Sequence, residues 1–251
     1  MSPVPARALI AALLLVSLLA LVPVRAGAQD PPAADPAATA LLERSAAAMA
    51  ELDAFHFELT TPRGETLFME NLELAALEGD VVRPDRFRAS VTARAVIIEL
   101  TVQVVGIGTR LWVTDPMSDD ERFIEVDLSE GTGADTGSLS DLLNPDRVLL
   151  QAVALIEEPT IVGTEDLDGV ETTLVEGSFD PSRLQLDGTP VPGLRLDQPL
   201  TVAVWIDADG RVRQLELDGP LTDAEPAAVT RRLELSAFDE PVTIEEPPAA
   251  P

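Results

Sequence analysis

The stretch of this sequence with the most chemistry in it is Ala134-Asp135-Thr136-Gly137-Ser138. Asp-Thr-Gly loops support acid hydrolysis when two of their carboxylates share a proton around a water. The chain carries one copy, and Ser129-Glu130-Gly131-Thr132-Gly133 precedes it in place of an apolar strand. The segment therefore reads as turn chemistry, with an acid hydrolase centred on Asp135 as the remote alternative. Asp207-Ala208-Asp209-Gly210 and Glu165-Asp166-Leu167-Asp168-Gly169 begin like calcium loops. Both lack the further oxygen ligands and the closing Glu, so both read as hairpin turns. His56, the only histidine, stands beside Glu58 on the polar face of a strand, and no Ser lies in a nucleophile-elbow setting. Gly106-x-Gly108 and Gly131-x-Gly133 are too short for a dinucleotide fingerprint.

Absences exclude more. All 17 basic residues are Arg, and there is no Lys, Cys or Tyr in the 251 residues. Schiff-base chemistry, a P-loop lysine, a thiol nucleophile, disulfides and zinc–thiolate sites are all ruled out. No catalytic residue, cofactor or metal is expected. A formal charge of −27 repels phosphate, so nucleic acid is not an expected partner. With 46% hydrophobic residues the chain has enough apolar side chains for a core.

Residues 1–28 read as a secretory signal: Arg7, an apolar run from Ala8 to Val22, Pro23, and the small-x-small triplet Ala26-Gly27-Ala28. The run, about 15 residues, falls short of the roughly 20 that cross a bilayer. Cleavage would remove Arg7 and Arg25 and no acid, taking the charge to −29. An uncleaved anchor is the alternative. Residues 29–36 form a Pro/Ala linker, 37–246 a single domain and 247–251 a polar tail.

Within the domain, Leu41, Leu42, Ser45, Met49 and Leu52 recur at helical spacing behind an Asp35-Pro36 start. The period then falls to 2. Phe55, Phe57 and Leu59 alternate with His56, Glu58 and Thr60; Leu72, Leu74 and Ala76 alternate with Glu73 and Ala75. Phe87 to Ala93, Ile98 to Val104, Leu111 to Val113 and Phe123 to Val126 continue the pattern. Leu139 to Ile156 reads as two short helical stretches ended by Glu157-Glu158-Pro159. Strands resume at Ile161-Val162, Val170 to Val175 and Leu200 to Ile206; Val212 to Leu217 follows an Asp209-Gly210 turn, and Val229 to Phe238 is the last. Trp112 and Trp205 fall out of step with the aliphatic faces around them. One wet face and turn-length links predict an antiparallel meander. Its apolar face must be covered, either as an ordinary packed α+β core or as a partly hollow sheet around an apolar ligand.

Several segments, taken in order, are similar to one known family. They are Glu78-Gly79-Asp80-Val81-Val82-Arg83-Pro84-Asp85-Arg86-Phe87, Val104-Val105-Gly106 with Leu111-Trp112-Val113, and Val162-Gly163-Thr164-Glu165 with Asp168-Gly169-Val170-Glu171. Val204-Trp205-Ile206-Asp207 with Asp209-Gly210, and Leu235-Ser236-Ala237-Phe238-Asp239, complete the set. Over roughly residues 40–246 this order resembles the LppX/LprG family of cell-envelope lipoproteins. The resemblance implies a LolA-like α+β fold, in which a strongly curved antiparallel half-barrel is covered by a few α-helices. It also implies a non-enzymatic carrier of acylated lipids or glycolipids. The family's lipid-bearing Cys has no counterpart at Ala28-Gln29-Asp30, so an exported, extracytoplasmic monomer without a lipid anchor is expected. Its partners would be the acylated ligand and, transiently, a membrane or envelope transporter. A sensor or interaction module on the same fold is the second reading. The face alternation assigns the cavity lining to Phe57, Leu59, Val91, Ile98, Leu100, Val102, Val104 and Leu111 on strands. Leu142, Leu143, Val148, Leu149 and Ala152 would line it from the helical cover.

Overall fold

A computed structural model describes residues 35–69, 72–95, 98–114, 122–126, 153–183, 185–186, 189–190 and 198–248. Helix α1 (Pro36–Ala50) opens as its sequence predicts: Asp35 is the N-cap, its Oδ1 accepting from the Ala37 amide at 2.8 Å, and Pro36 occupies the first turn, where no amide is needed. Ala38, Leu41, Leu42, Ser45 and Met49 form its buried stripe. Each large member of that stripe contributes about 2 kcal/mol by leaving water. At the far end Arg83 Nη1 donates to the carbonyls of Met49, at 2.6 Å, and Leu52. This places a cation where the helix dipole is negative.

The strands are β1 (Ala54–Arg63), β2 (Leu67–Met69), β3 (Leu72–Val82), β4 (Arg86–Ala95), β5 (Ile98–Ile107), β6 (Arg110–Thr114) and β7 (Phe123–Val126). After them come β8 (Ile156–Leu167), β9 (Val170–Phe179), the small pair β10 (Gln185–Leu186) and β11 (Thr189–Pro190), β12 (Leu200–Asp207), β13 (Val212–Asp218) and β14 (Thr230–Ser236). The main sheet runs β7-β6-β5-β4-β3-β1-β14-β13-β12-β9-β8, with β2 paired to β3, and every pairing is antiparallel. The first strand lies against the last. The order is thus that of an up-and-down barrel cut open between β7 and β8.

The sheet curls. Eleven strands about 4.8 Å apart would span roughly 48 Å if flat, yet Leu111 of β6 and Phe179 of β9 share one apolar core with α1. Helix α1, about 22 Å long, crosses the inner face obliquely. The Asp35 amide donates to the Pro159 carbonyl of β8 at 3.0 Å, while Met49 Sδ receives the Val212 amide of β13 at 3.3 Å. Among the described residues it is the one full α-helix over the sheet.

Val153 and Ala154 are helical as the sequence predicts, but the helix ends one turn residue before Ile156, and Ile156 and Glu157-Glu158-Pro159 open strand β8. The pairing with β9 shifts between Glu157 and Thr160, Glu158 adopts φ 49°, and Pro159 sits in the irregularity. β8 is an edge strand, where a missing proline amide costs no ladder bond. The two Trp residues, out of step with the aliphatic stripes, lie on the outer face. Trp112 packs with Val105 and Ile244, and Trp205 Nε1 donates to Glu165 at 2.8 Å. Ile244 belongs to the C-terminal segment, which is tied down by Arg86 Nη1 donating to its carbonyl at 2.8 Å.

Gly79 shows how tightly the inner face closes under α1. Phe57 stands opposite it on β1, and a Cβ at Gly79 would overlap the Arg88 carbonyl and come within 2.9 Å of the Phe57 ring. Strand backbone cannot retreat as a flexible side chain can. Gly79→Ala is expected to lower stability by about 2 kcal/mol, read as a shift of the urea midpoint with unchanged slope.

Candidate functional site

Register places nine aliphatic residues from nine adjacent strands in one row. They are Val102 (β5), Val91 (β4), Leu77 (β3), Leu59 (β1), Leu233 (β14), Leu215 (β13), Val204 (β12), Val175 (β9) and Ile161 (β8). Two residues along each strand, about 6.6 Å away, a second row holds Val104, Ala89, Gly79, Phe57 and Leu235. The second row is buried throughout, and its members other than Gly79 share one apolar core with α1. In the first row Leu215, Val204 and Val175 are buried, Val102, Val91, Leu77, Leu59 and Leu233 are only half-buried, and Ile161, on the edge strand β8, is 37% exposed. The oblique helix thus covers the β9–β12–β13 side and one end of β1 to β5. A corner of inner face built from β14, β1, β3, β4 and β5 remains outside its cover.

The residues singled out from the sequence distribute over both regions. Phe57, Val104 and Leu111 lie in the packed core; Val91 and Val102 are half-buried against it; Leu59 and Leu100 are half-buried in the corner. Ile98, at the outer end of the same stripe, is 54% exposed. Leu142, Leu143, Val148, Leu149 and Ala152, and also Asp135, lie outside the described residues.

Leu77, Leu233 and Leu217 belong to this face and were not selected by alternation alone. Leu233 was recoverable, since Leu233 and Leu235 alternate with Arg232, Glu234 and Ser236. Leu77 was hidden by a register shift between Leu74 and Ala76, after which Ala76 pairs with Thr92 and Leu77 with Val91. The apolar stripe of β3 therefore changes parity in mid-strand, as a bulge requires.

The outer face carries charge in cross-strand pairs. Arg63 contacts Asp218, Arg232 contacts Glu216, and Arg94 reaches Glu99 and Glu73. Asp80 on β3 accepts from His56 Nδ1 at 2.8 Å and from Arg88 at 2.5 Å. Burial alone would raise the Asp80 pKa. The hydrogen bonds and charges of Arg88 and His56 outweigh it and hold the carboxyl below its ordinary 3.8. A carboxyl depressed in the folded state adds stability above its unfolded pKa and loses it as pH falls through the folded value. The urea-midpoint gap between wild type and Asp80→Asn is therefore expected to be constant above about pH 5 and to close below 3.8. A gap that persists unchanged into acid would refute the pairing.

The acidic turns spend their oxygens locally. Asp207 Oδ1 accepts from the amides of Asp209 and Arg211 and its Oδ2 from Arg213 Nε, while Asp166 Oδ1 accepts from the Gly169 amide. Asp168 and Gly169 both have positive φ, 53° and 86°, as a two-residue hairpin turn demands. Among the described residues no cluster of carboxylates and histidine is arranged to hold a metal, and no helix is long and apolar enough to cross a membrane.

Comparison with known proteins gives this geometry a context. The profile of the LppX_LprAFG lipoprotein family matches residues 37–244. Lipoprotein LprA of Mycobacterium tuberculosis is 26% identical over 202 residues, covering 71% of this chain and 72% of that protein. The lipoarabinomannan carrier protein LprG of Mycolicibacterium smegmatis is 26% identical over 187 residues, covering 69% and 70%. In three dimensions the chain is similar to LppX of Mycobacterium tuberculosis, with a TM-score of 0.57 at 21% identity over 84% of this chain and 100% of that one. LprF of Mycobacterium bovis also gives 0.57, at 18% identity over 86% and 99%.

Proposed function

Because the chain belongs to the LppX_LprAFG lipoprotein family, we propose that it is a non-enzymatic, extracytoplasmic carrier that holds the acyl chains of a lipid or glycolipid against the corner of its inner face that lies outside the cover of α1. The observation that carries this reading is the split row: Leu215, Val204 and Val175 are buried, whereas Leu233, Leu59, Leu77, Val91 and Val102, on five adjacent interior strands of the same line, are only half-buried. An ordinary core would bury the whole line, because a half-exposed aliphatic stripe forfeits transfer free energy. An acyl chain of about 16 carbons stands to gain roughly 12 kcal/mol by leaving water, at about 0.8 kcal/mol per methylene. Such a chain needs a continuous aliphatic wall and few polar contacts, which the corner supplies.

The relative LprG is named for carrying lipoarabinomannan, and carriage of an acylated molecule is the property transferred to this chain. Native mass spectrometry of the purified full chain, followed by organic extraction, tests it. An acylated molecule of defined mass is expected to co-purify, and the extracted protein is expected to take up a fluorescent acyl lipid with saturation. Protein that copurifies with no acylated molecule and takes up none overturns the assignment.

A further inference from the structure

Resting on that carrier reading, we propose that Arg231 anchors the anionic head group of the ligand, so that the preferred cargo is an acidic phospholipid-type molecule. Thr230, Arg232 and Glu234 of β14 face outward, where Thr230 receives Arg63 Nε and Arg232 Nε donates to Glu216. Alternation turns Arg231, Leu233 and Leu235 inward. Arg231 is paired with Leu217 of β13 and lies two residues beyond Leu233, at the margin of the uncovered corner. It is nonetheless only 5% exposed.

Its guanidinium is incompletely satisfied. Nη1 donates to the Gly219 carbonyl at 3.0 Å and Nη2 forms a buried ion pair with the Glu225 carboxylate, while Nε has no hydrogen-bond partner. Glu225 does not depend on Arg231 for its own satisfaction. Its Oε1 accepts from the Leu67 amide at 3.1 Å and its Oε2 from the amides of Leu221 and Thr222 at 2.6 and 3.2 Å. Buried donors without a partner are destabilising and are rare in native proteins. An arginine fork is also the side chain whose geometry best matches a phosphate.

The backbone is irregular at this place. β1 pairs Thr60 with Arg232 and then Arg63 with Thr230, so that two residues, Thr61 and Pro62, oppose the single Arg231. Such a bulge opens the ladder and re-aims its side chains. Acyl chains laid along Val102, Val91, Leu77, Leu59 and Leu233 bring a head group to this margin. There an anionic oxygen exchanges with the Glu225 carboxylate for the guanidinium.

The test compares phosphatidylglycerol with diacylglycerol of identical, fluorescently labelled acyl chains, titrated into the delipidated full chain. Wild type is expected to prefer the acidic lipid by about tenfold or more, the worth of a charge-assisted hydrogen bond. Glu225→Gln, which removes the competing charge, is expected to widen the preference. Arg231→Met with Glu225→Gln removes both charges together and so leaves no uncompensated buried ion. This double variant is expected to retain diacylglycerol binding and lose the preference, with circular dichroism confirming its fold. Equal wild-type affinities, or a preference that survives in the double variant, overturn the anchor while leaving the carrier reading intact. Failure of wild type to bind either lipid overturns both. Inorganic phosphate alone is expected not to bind with saturation; Arg231-dependent binding of phosphate alone overturns the lipid assignment in favour of a free anion.

Discussion

Replacing Phe57 with alanine is expected to cost the fold about 3–5 kcal/mol and to lower the melting temperature by roughly 6–20 °C for a chain of this length. Phe57 is 1% exposed and belongs to the core that includes Met49, Leu52 and Leu235, with its ring across Gly79. Truncation removes the transfer free energy of the ring and leaves a cavity that strand backbones on both sides cannot close. The neighbouring glycine has no side chain to fill it. Differential scanning calorimetry on the purified chain measures the effect. A change below about 1 kcal/mol would mean that the space around Phe57 is already open, and that the packed part of the inner face begins closer to α1.

Leu59→Trp is expected to weaken binding of an acyl lipid by about 100-fold while leaving stability nearly unchanged. Leu59 lies two residues from Phe57 on the same face, flanked by Leu77 on β3 and Leu233 on β14, and it is half-buried where Phe57 is buried. An indole there occupies the wall on which an acyl chain would lie. Excluding three or four methylenes at about 0.8 kcal/mol each removes roughly 3 kcal/mol, or about two decades of affinity. Fluorescent-lipid titration measures the loss, and the urea midpoint checks the fold. The pair separates two roles along one strand: Phe57→Ala acts on folding and Leu59→Trp on binding. If Leu59→Trp binds lipid as wild type does, the uncovered corner is not where the chains lie, and the carrier reading loses its site.

Much of the framework was legible because short-range physics decides it. Asp35-Pro36 caps a helix wherever an apolar stripe follows, and Asp168-Gly169 and Asp209-Gly210 make tight turns because their backbone geometry suits those residues. The alternation in Phe55 to Leu59, Ile98 to Val104 and Leu200 to Ile206 specifies strands with one apolar face whatever lies over them. The ordered segments from Glu78 to Asp239 carried the family. Ile156 to Pro159 were misread because an apolar residue before Glu-Glu-Pro satisfies a helix end and an edge strand equally well. The choice rests on the pairing of Ile156 with Phe179, 23 residues further along the chain.

The candidate site belongs to the other category. No local rule distinguishes Phe57 from Leu59, or Val104 from Val102; within each pair the first is buried and the second half-buried, a difference set by tertiary packing. The parity change in β3 that turns Leu77 inward arises from the pairing of β3 with β4. Arg231 is a buried inward cation because β14 is paired on both sides and the buried Glu225 carboxylate meets its guanidinium. The residues that could do chemistry thus changed place. The Asp-rich turns, conspicuous in sequence, close their oxygens on nearby amides and on Arg213, while Arg231, ion-paired with Glu225, keeps an unmatched Nε beside an aliphatic wall. Sequence alone determined most of the strands, their tight turns and the catalytic chemistry that 17 arginines without Lys or Cys exclude. Tertiary structure decided which part of the apolar face is core and which is left half-covered, because burial depends on what crosses over a residue rather than on its neighbours in the chain.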